Sequence, residues 1–286
     1  MNFTKMQGAG NDFILVEADE TRHDWSSRAV TMCDRHFGIG SDGLLLLLPS
    51  DKADFKMRMF DPDGSEAEAC GNGIRCLAKY IYEEGLINRK TNRMSVETIA
   101  GVRELRLYKK DGKLISIQAG MGKPKFGAAD IPVVVKSGRE ATVYIKYMLC
   151  CTVKIDGMEL PLNLVSMGNP HAVYFAREPV SDFPLLQLGP KVENLDIFPR
   201  RVNFEVARVM DRQRIELRVW ERGAGETLAC GSGACAVAVA AQLHGYVDSK
   251  VDINLPGGTL QVEWDSSGEV LMSGPAEKVF SGEWIE

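Results

Sequence analysis

The sequence predicts a mixed α/β protein of two pseudo-symmetric lobes, each a strand-rich sheet or barrel wrapped around one central helix. Three observations carry this reading. The pentapeptide Ala69-Cys70-Gly71-Asn72-Gly73 returns as Ala229-Cys230-Gly231-Ser232-Gly233. The surroundings of the two match at fixed offsets. The stretch from Ala234 to Ala241 is apolar on every side, and a helix that is apolar all round must be buried all round. The expected lobes are residues 1–119 with 277–286, carrying Cys70, and residues 120–276, carrying Cys230.

The offsets show how far the repeat reaches. With Cys70 set against Cys230, Gly85 and Gly245 stand fifteen residues downstream and Glu66 and Glu226 four upstream. Asp61 and Glu221 stand nine upstream, Phe60 and Trp220 ten. Further back, Gly10-Asn11 precedes the apolar run 13–16, and Gly168-Asn169 precedes 172–175. One half reads as a diverged copy of the other.

Within each copy the elements follow from periodicity. Alternating apolar runs predict strands at 13–17, 43–48, 56–61, 94–98, 104–109 and 114–118. Asp111-Gly112 is a hairpin signal. The second copy predicts strands at 142–149, 151–155, 171–175, 203–210, 214–220, 260–264 and 270–273, with turns at Asp156-Gly157 and Ser267-Gly268. The stretch 120–124 is the expected crossing between lobes. Ile74, Leu77, Ala78 and Ile81 have helical spacing after Cys70, and Gly85 is placed to end that helix.

Composition narrows the function. A chain of 286 residues with 45% hydrophobic content has ample core for two domains. The net charge of −5, with both signs interspersed, gives no basic stripe for nucleic acid. No apolar run is long enough to span a bilayer, so neither nucleic acid nor membrane is an expected partner. Seven cysteines, an odd number without a secretion signal, point to reduced thiols in a cytoplasm. There is no CxxC, and the four histidines lack ligand spacing, so no metal is expected. No phosphate-cradling glycine motif appears either. No cofactor is expected, and the chemistry falls to side chains acting on a small molecule.

Cys70 and Cys230 carry that chemistry. Cys33, Cys150 and Cys151 read as packing residues, and Cys76 and Cys235 as helix-interior ones, because cysteine is often simply buried. The duplicated context sets Cys70 and Cys230 apart. A thiol at a helix start sits against unpaired N–H groups, which lower its pKa from about 8.5. The following glycines let those N–H groups approach an anion. A carboxylate held there by two such helix starts would have one sulfur on each side of its α-carbon. One thiolate could take the α-proton and the other thiol return one to the opposite face.

The motifs match a known family as a set. Gly8-x-Gly10-Asn11-Asp12-Phe13, Arg35-His36-x-Gly38-Ile39-Gly40-x-Asp42, Asp63-Gly64-Ser65-Glu66 and Cys70-Gly71-Asn72-Gly73-x-Arg75-Cys76 stand in the first half. Ser166-Met167-Gly168-Asn169-Pro170-His171, Arg201-Val202-Asn203, Glu221-Arg222-Gly223-Ala224-Gly225-Glu226-Thr227, Ala229 to Cys235 and Leu255-Pro256-Gly257-Gly258 follow in the second. In this the chain resembles diaminopimelate epimerase. The resemblance implies cofactor-independent interconversion of L,L- and meso-diaminopimelate, on the route to lysine and peptidoglycan, by a homodimer. It implies Cys70 and Cys230 as the acid/base thiols, with the N–H groups of Gly71-Asn72 and Gly231-Ser232 on the reacting carboxylate. It implies Asn11, Asn169, Asn203 and Arg222 as pocket residues, and His171 and Glu221 as residues that tune the thiols. Two positions depart from the common family residues. Asp61 stands where many members carry Asn, and mirrors Glu221 as a substrate contact that would favour an ammonium. Gly43 stands where some carry Gln. The alternatives are another pyridoxal-independent amino-acid racemase of the same design, a thiol redox protein, and a binding module that has kept the fold. Arg222 argues against the first, because a long dicarboxylic substrate needs a cation at its far end.

Overall fold

The computed structural model describes residues 1–18, 23–67, 70–134 and 142–285. Ala69 of the first pentapeptide and Glu286 lie outside the described residues. The chain divides into two compact units, Met1–Gly120 with Ser273–Glu286, and Met121–Met272.

Both units are built by the same succession of strand pairings. In the first, Asn2–Gly8 pairs antiparallel with Asn11–Glu17, which runs parallel to Gly43–Leu48, which is antiparallel to Phe55–Phe60. The short strand Glu66–Ala67 folds back on Phe55–Phe60, and Arg93–Thr98 then joins it in parallel and forms a hairpin with Gly101–Lys110. In the second, Met158–Ser166, Pro170–Phe175, Asn203–Asp211, Arg214–Glu221, Gly225–Thr227, Lys250–Leu255 and Gly258–Glu263 repeat the order antiparallel, parallel, antiparallel, antiparallel, parallel, antiparallel.

The parallel steps explain two helices that periodicity does not predict. A parallel pair needs a crossover, usually helical. Trp25–Cys33 lies in the first such connection and Leu185–Glu193 in the second. Both are nine residues long. Ser26-Ser27 opens one and Pro190 interrupts the other, so local propensity argues against each.

A second difference lies at 142–149, expected as one strand. The chain turns at Lys146-Tyr147, with Lys146 at φ 56°, and Thr142–Ile145 pairs back on Met148–Ile155. Nothing at that turn is Gly, Asn or Asp, the residues that normally mark it.

Each unit surrounds one thirteen-residue helix, Gly71–Glu83 in the first and Gly231–Leu243 in the second. Gly71–Glu83 packs against Asn2–Gly8, Asn11–Glu17, Lys113–Gly120 and Glu277–Glu283. Its Ile74, Leu77, Ala78 and Ile81 join Leu45, Leu47, Met57 and Met59 in one core. The strand Gly43–Leu48 has a second buried face, because alternate side chains point oppositely. Leu44, Leu46 and Leu48 meet Ile14, Val16 and the Trp25–Cys33 helix there. In the second unit Phe204 and Val206 face Leu185, Leu188 and Val192 of the crossover helix. The Gly231–Leu243 helix packs against Met158–Ser166, Pro170–Phe175, Asn203–Asp211 and Gly258–Glu263, and every residue from Gly233 to Ala241 is buried. The two helices also end alike. Leu86 N–H donates to Ile81 O at 3.0 Å and Tyr246 N–H to Ala241 O at 2.9 Å. Gly85 and Gly245 supply the positive φ of 72° and 76° that this ending requires.

Candidate active site

Each cysteine is the N-cap of its helix. Cys70 (φ −138°, ψ 114°) and Cys230 (φ −119°, ψ 114°) are extended, and each sulfur accepts from the backbone N–H three residues on, Gly73 at 3.3 Å and Gly233 at 3.4 Å. This is the place an Asp or Ser cap normally fills. A sulfur here is held by the same N–H groups that make a helix start attractive to anions.

In the first unit, Asn11 joins the strand start to the cap. Its Oδ1 accepts from Asn72 Nδ2 at 3.2 Å and from Cys70 Sγ at 4.0 Å, and its Nδ2 donates to Asp42 at 2.7 Å. Two further residues, with no role assigned from sequence, fix this arrangement. Arg75 is fully buried and donates to Asn72 Oδ1 at 2.7 Å and to Gly71 O at 3.0 Å. Arg35 bridges Asp12 and Asp42, at 2.7 Å each. Asp61 lies apart from these bonds, just past the strand Phe55–Phe60, and burial, with Asp63 beside it, pushes its carboxyl up.

In the second unit, Asn169, His171, Glu221, Ser232 and Cys230 meet in one network. Asn169 Nδ2 donates to Ser232 Oγ at 3.2 Å, and that hydroxyl lies 3.5 Å from Cys230 Sγ. His171 Nε2 stands 2.9 Å from Asn169 Oδ1. Glu221 accepts from Thr227 Oγ1 at 2.5 Å and from the Cys230 thiol. Gly231 is buried in the first turn of the helix. Asn203 and Arg222 are joined through backbone: Asn203 Oδ1 accepts from Arg222 N at 2.9 Å, while Asn203 Nδ2 donates to Pro170 O at 2.9 Å. The Arg222 guanidinium is exposed, with Nη1 on Arg200 O at 3.1 Å.

The electrostatics depart from the simple expectation at Cys230. Burial pushes its thiol well up, and the negative charges of Glu221 and Glu205 push the same way. The Ser232 hydroxyl and the Gly233 N–H pull it down but do not win. Cys230 is therefore a thiol at neutral pH. Burial also raises Glu221. Cys76, inside the first helix, is pushed up to about 12 by burial, which suits an inert packing residue.

Glu205 is the residue that motif reading missed. Its Oε1 lies 2.6 Å from His171 Nδ1, and both side chains are fully buried. A signal existed, since Asn203-Phe204-Glu205-Val206-Ala207 places a charge inside an apolar run.

The family profile described as diaminopimelate epimerase matches residues 3–127 and 163–279. The chain belongs to the diaminopimelate epimerase family. It is 50% identical over 285 residues to the diaminopimelate epimerase of Acetivibrio thermocellus, covering 99% of this chain and 98% of that one. The corresponding protein of Pelotomaculum thermopropionicum is 47% identical, with 99% of each chain covered. Among solved structures, a hydroxyproline epimerase from Agrobacterium vitis shares the fold at a TM-score of 0.69, with 16% identity, over 99% of this chain and 91% of that one. Each of the two spans matched by the family profile contains one of the capping cysteines, and membership of the family makes the chain an isomerase.

Proposed function

We propose that this chain epimerises L,L-diaminopimelate to meso-diaminopimelate without a cofactor, with Cys70 and Cys230 as the acid/base pair. The observation that carries the reading is the duplicated cap: two cysteines of one chain, each with its sulfur bonded to the third N–H of a buried helix. The N–H groups at Gly71-Asn72 and Gly231-Ser232 bind the reacting carboxylate. They also stabilise the charge that reaches it as the α-proton leaves. Cys230, held as the thiol by burial and by its carboxylate neighbours, is the proton donor of the resting enzyme. Cys70 as thiolate then takes the α-proton, and Cys230 gives its own proton to the opposite face. The turnover ends with a thiol at Cys70 and a thiolate at Cys230, which is the state required for the reverse reaction. His171 and Glu221 tune Cys230, Asn11 and Asn169 orient the caps, and Asn203 braces the segment from which Arg222 reaches the far carboxylate. Asp61 faces the substrate ammonium. The working form is a cytoplasmic homodimer whose only ligand is the amino acid, in lysine and peptidoglycan precursor synthesis.

The test is epimerisation of L,L-diaminopimelate with no added cofactor, for the wild-type chain and for Cys70→Ala and Cys230→Ala. Each substitution is expected to cost on the order of 10²–10⁴-fold in kcat, the usual worth of a general acid or base. Near wild-type turnover in either variant would sink the two-thiol scheme. Turnover of a different amino acid in preference to diaminopimelate would sink the substrate assignment.

A further inference from the structure

One buried ionisable side chain is left unused by this scheme. Glu205 is 0% exposed, and its Oε2 has no hydrogen-bond partner among the described residues. Its Oε1 stands 2.6 Å from His171 Nδ1, and the other ring nitrogen stands 2.9 Å from Asn169 Oδ1. Asn169 is oriented by its bond to Ser232, whose hydroxyl lies against Cys230. Five side chains of one unit thus run in line from a carboxyl group to the proposed acid.

Counting donors along this line gives Glu205 a task. Asn169 Oδ1 can only accept, so His171 Nε2 must carry a hydrogen. Nδ1 then either accepts from a protonated Glu205 or donates to an ionised one. The two arrangements hold the same protons and differ by one transfer across the short bond. Burial pushes the Glu205 carboxyl up, which favours the proton near oxygen. In both cases Glu205 keeps His171 a donor towards Asn169. Without a partner at Nδ1, the imidazole is free to take the other tautomer, which turns a lone pair on the Asn169 oxygen and releases the amide.

The internal repeat supplies the control. The strand pairings Phe13↔Gly43 and His171↔Asn203 correspond, which sets Leu45 against Glu205. The two occupy the same place beneath the first helical turn. A Cβ built on Gly73 would meet Leu45 Cδ2 at 3.0 Å, and one built on Gly233 would meet Glu205 Oε1 at 2.9 Å. The first unit fills this place with an apolar side chain of similar size, so packing alone does not call for a carboxyl group.

We propose that Glu205 is a positioning residue for the Cys230 half of the reaction, holding the proton of His171 so that Asn169 and Ser232 stay aimed at the thiol. This rests on the epimerase reading. The experiment compares wild type, Glu205→Leu and Glu205→Gln in the full chain, by steady-state kinetics on L,L-diaminopimelate and by NMR of the protein labelled with 15N-histidine. Leu copies the first unit and is expected to lower kcat at least tenfold with KM within about twofold. Gln has the same shape and can donate to Nδ1, so it is expected to stay within about fivefold of wild type. Wild type should show a far-downfield proton in the bond between Glu205 Oε1 and His171 Nδ1, whichever of the two atoms holds it, and that proton should be missing from Glu205→Leu. Wild-type kcat in Glu205→Leu, a Gln variant as impaired as Leu, or no such proton in wild type would each overturn the proposal. A wild-type chain inactive on diaminopimelate would instead overturn the epimerase reading, and the NMR signal would still report on the bond.

Discussion

Arg222 presents an exposed guanidinium while its backbone N–H is pinned by Asn203. That combination gives a fixed origin and an exposed, planar end able to bind a carboxylate through two N–H groups. Lysine keeps the charge and loses the fork. A hydrogen bond to a charged group is worth about 1.5–3 kcal/mol, so Arg222→Lys is expected to lower kcat/KM by roughly ten- to a hundredfold on L,L-diaminopimelate. Asp61→Asn restores the commoner family residue and is expected to be tolerated. A silent Arg222→Lys beside a dead Asp61→Asn would mean that the far end of the substrate is not a carboxylate. Asp12 sets a pH dependence of a different kind. Burial opposes its ionisation, but Arg35 and Lys5 prevail and hold its pKa at about 2 against a usual 3.8. A lowered carboxylate stabilises the fold above its unfolded pKa and loses that contribution as pH falls through the folded value. Asp12 therefore contributes about 2 kcal/mol at neutral pH, lost between about pH 4 and 2. Urea unfolding of Asp12→Asn against wild type should show that gap at pH 7 and its closure at pH 2. Residues of this kind also mark the limit of sequence reading. Cys70, Cys230, Asn169 and His171 sit in short local motifs and are legible there. Glu205, Asp42 and Arg35 act on partners far from them in sequence that the fold brings close, and only the folded structure reveals the contact.

Among the elements, the crossover helix Leu185–Glu193 does more than close a connection. Its last residue, Glu193, is buried and accepts from Trp220 Nε1 at 2.7 Å, Gly223 N at 3.0 Å and Arg201 Nη1 at 3.0 Å. These bonds clamp the turn that carries Arg222. Gly189, one helical turn earlier, lets the backbone lie on the Trp220 ring, where a Cβ would come within 2.5 Å of Cδ2. Glu193→Ala removes the one acceptor that these three donors share, and each lost bond is worth about 0.5–1.5 kcal/mol. It should lower the chemical-denaturation stability by about 2–4 kcal/mol and raise KM, since Arg222 loses its mount. A variant with unchanged KM would separate the clamp from substrate binding. The strands expected at 171–175, 203–210 and 214–220 were legible to within a few residues, because alternation is local, whereas Met158–Ser166, Gly225–Thr227 and Lys250–Leu255 were not expected. The two crossover helices were not legible either, because short polar or proline-containing segments become helical here through burial against a sheet rather than through propensity.

At the scale of the whole molecule, the duplication seen in the pentapeptides extends to the order and sense of the strand pairings in both units. Chemistry has diverged on this common plan. Phe13, Gly43 and Leu45 occupy in the first unit the places that His171, Asn203 and Glu205 occupy in the second. The capping cysteines with their helix starts are kept in both, as are Asn11 and Asn169 and the ion pairs Arg58–Glu66 and Arg218–Glu226. Two similar thiols in dissimilar surroundings suit a reaction in which one begins as base and the other as acid. Such an enzyme has an isotopic signature. A thiol that has equilibrated with solvent delivers the incoming hydrogen, while the one that took the substrate hydrogen sits on the other face. With L,L-diaminopimelate in D2O, the meso product formed at early conversion should carry deuterium at the inverted α-carbon. The remaining substrate should still carry protium there. Mass spectrometry of the separated isomers measures both. Protium retained in the product, or deuterium appearing in recovered substrate at the same rate as in product, would point to a single base serving both faces. The repeat would then be a relic of duplication, with the second cysteine kept only as a helix cap.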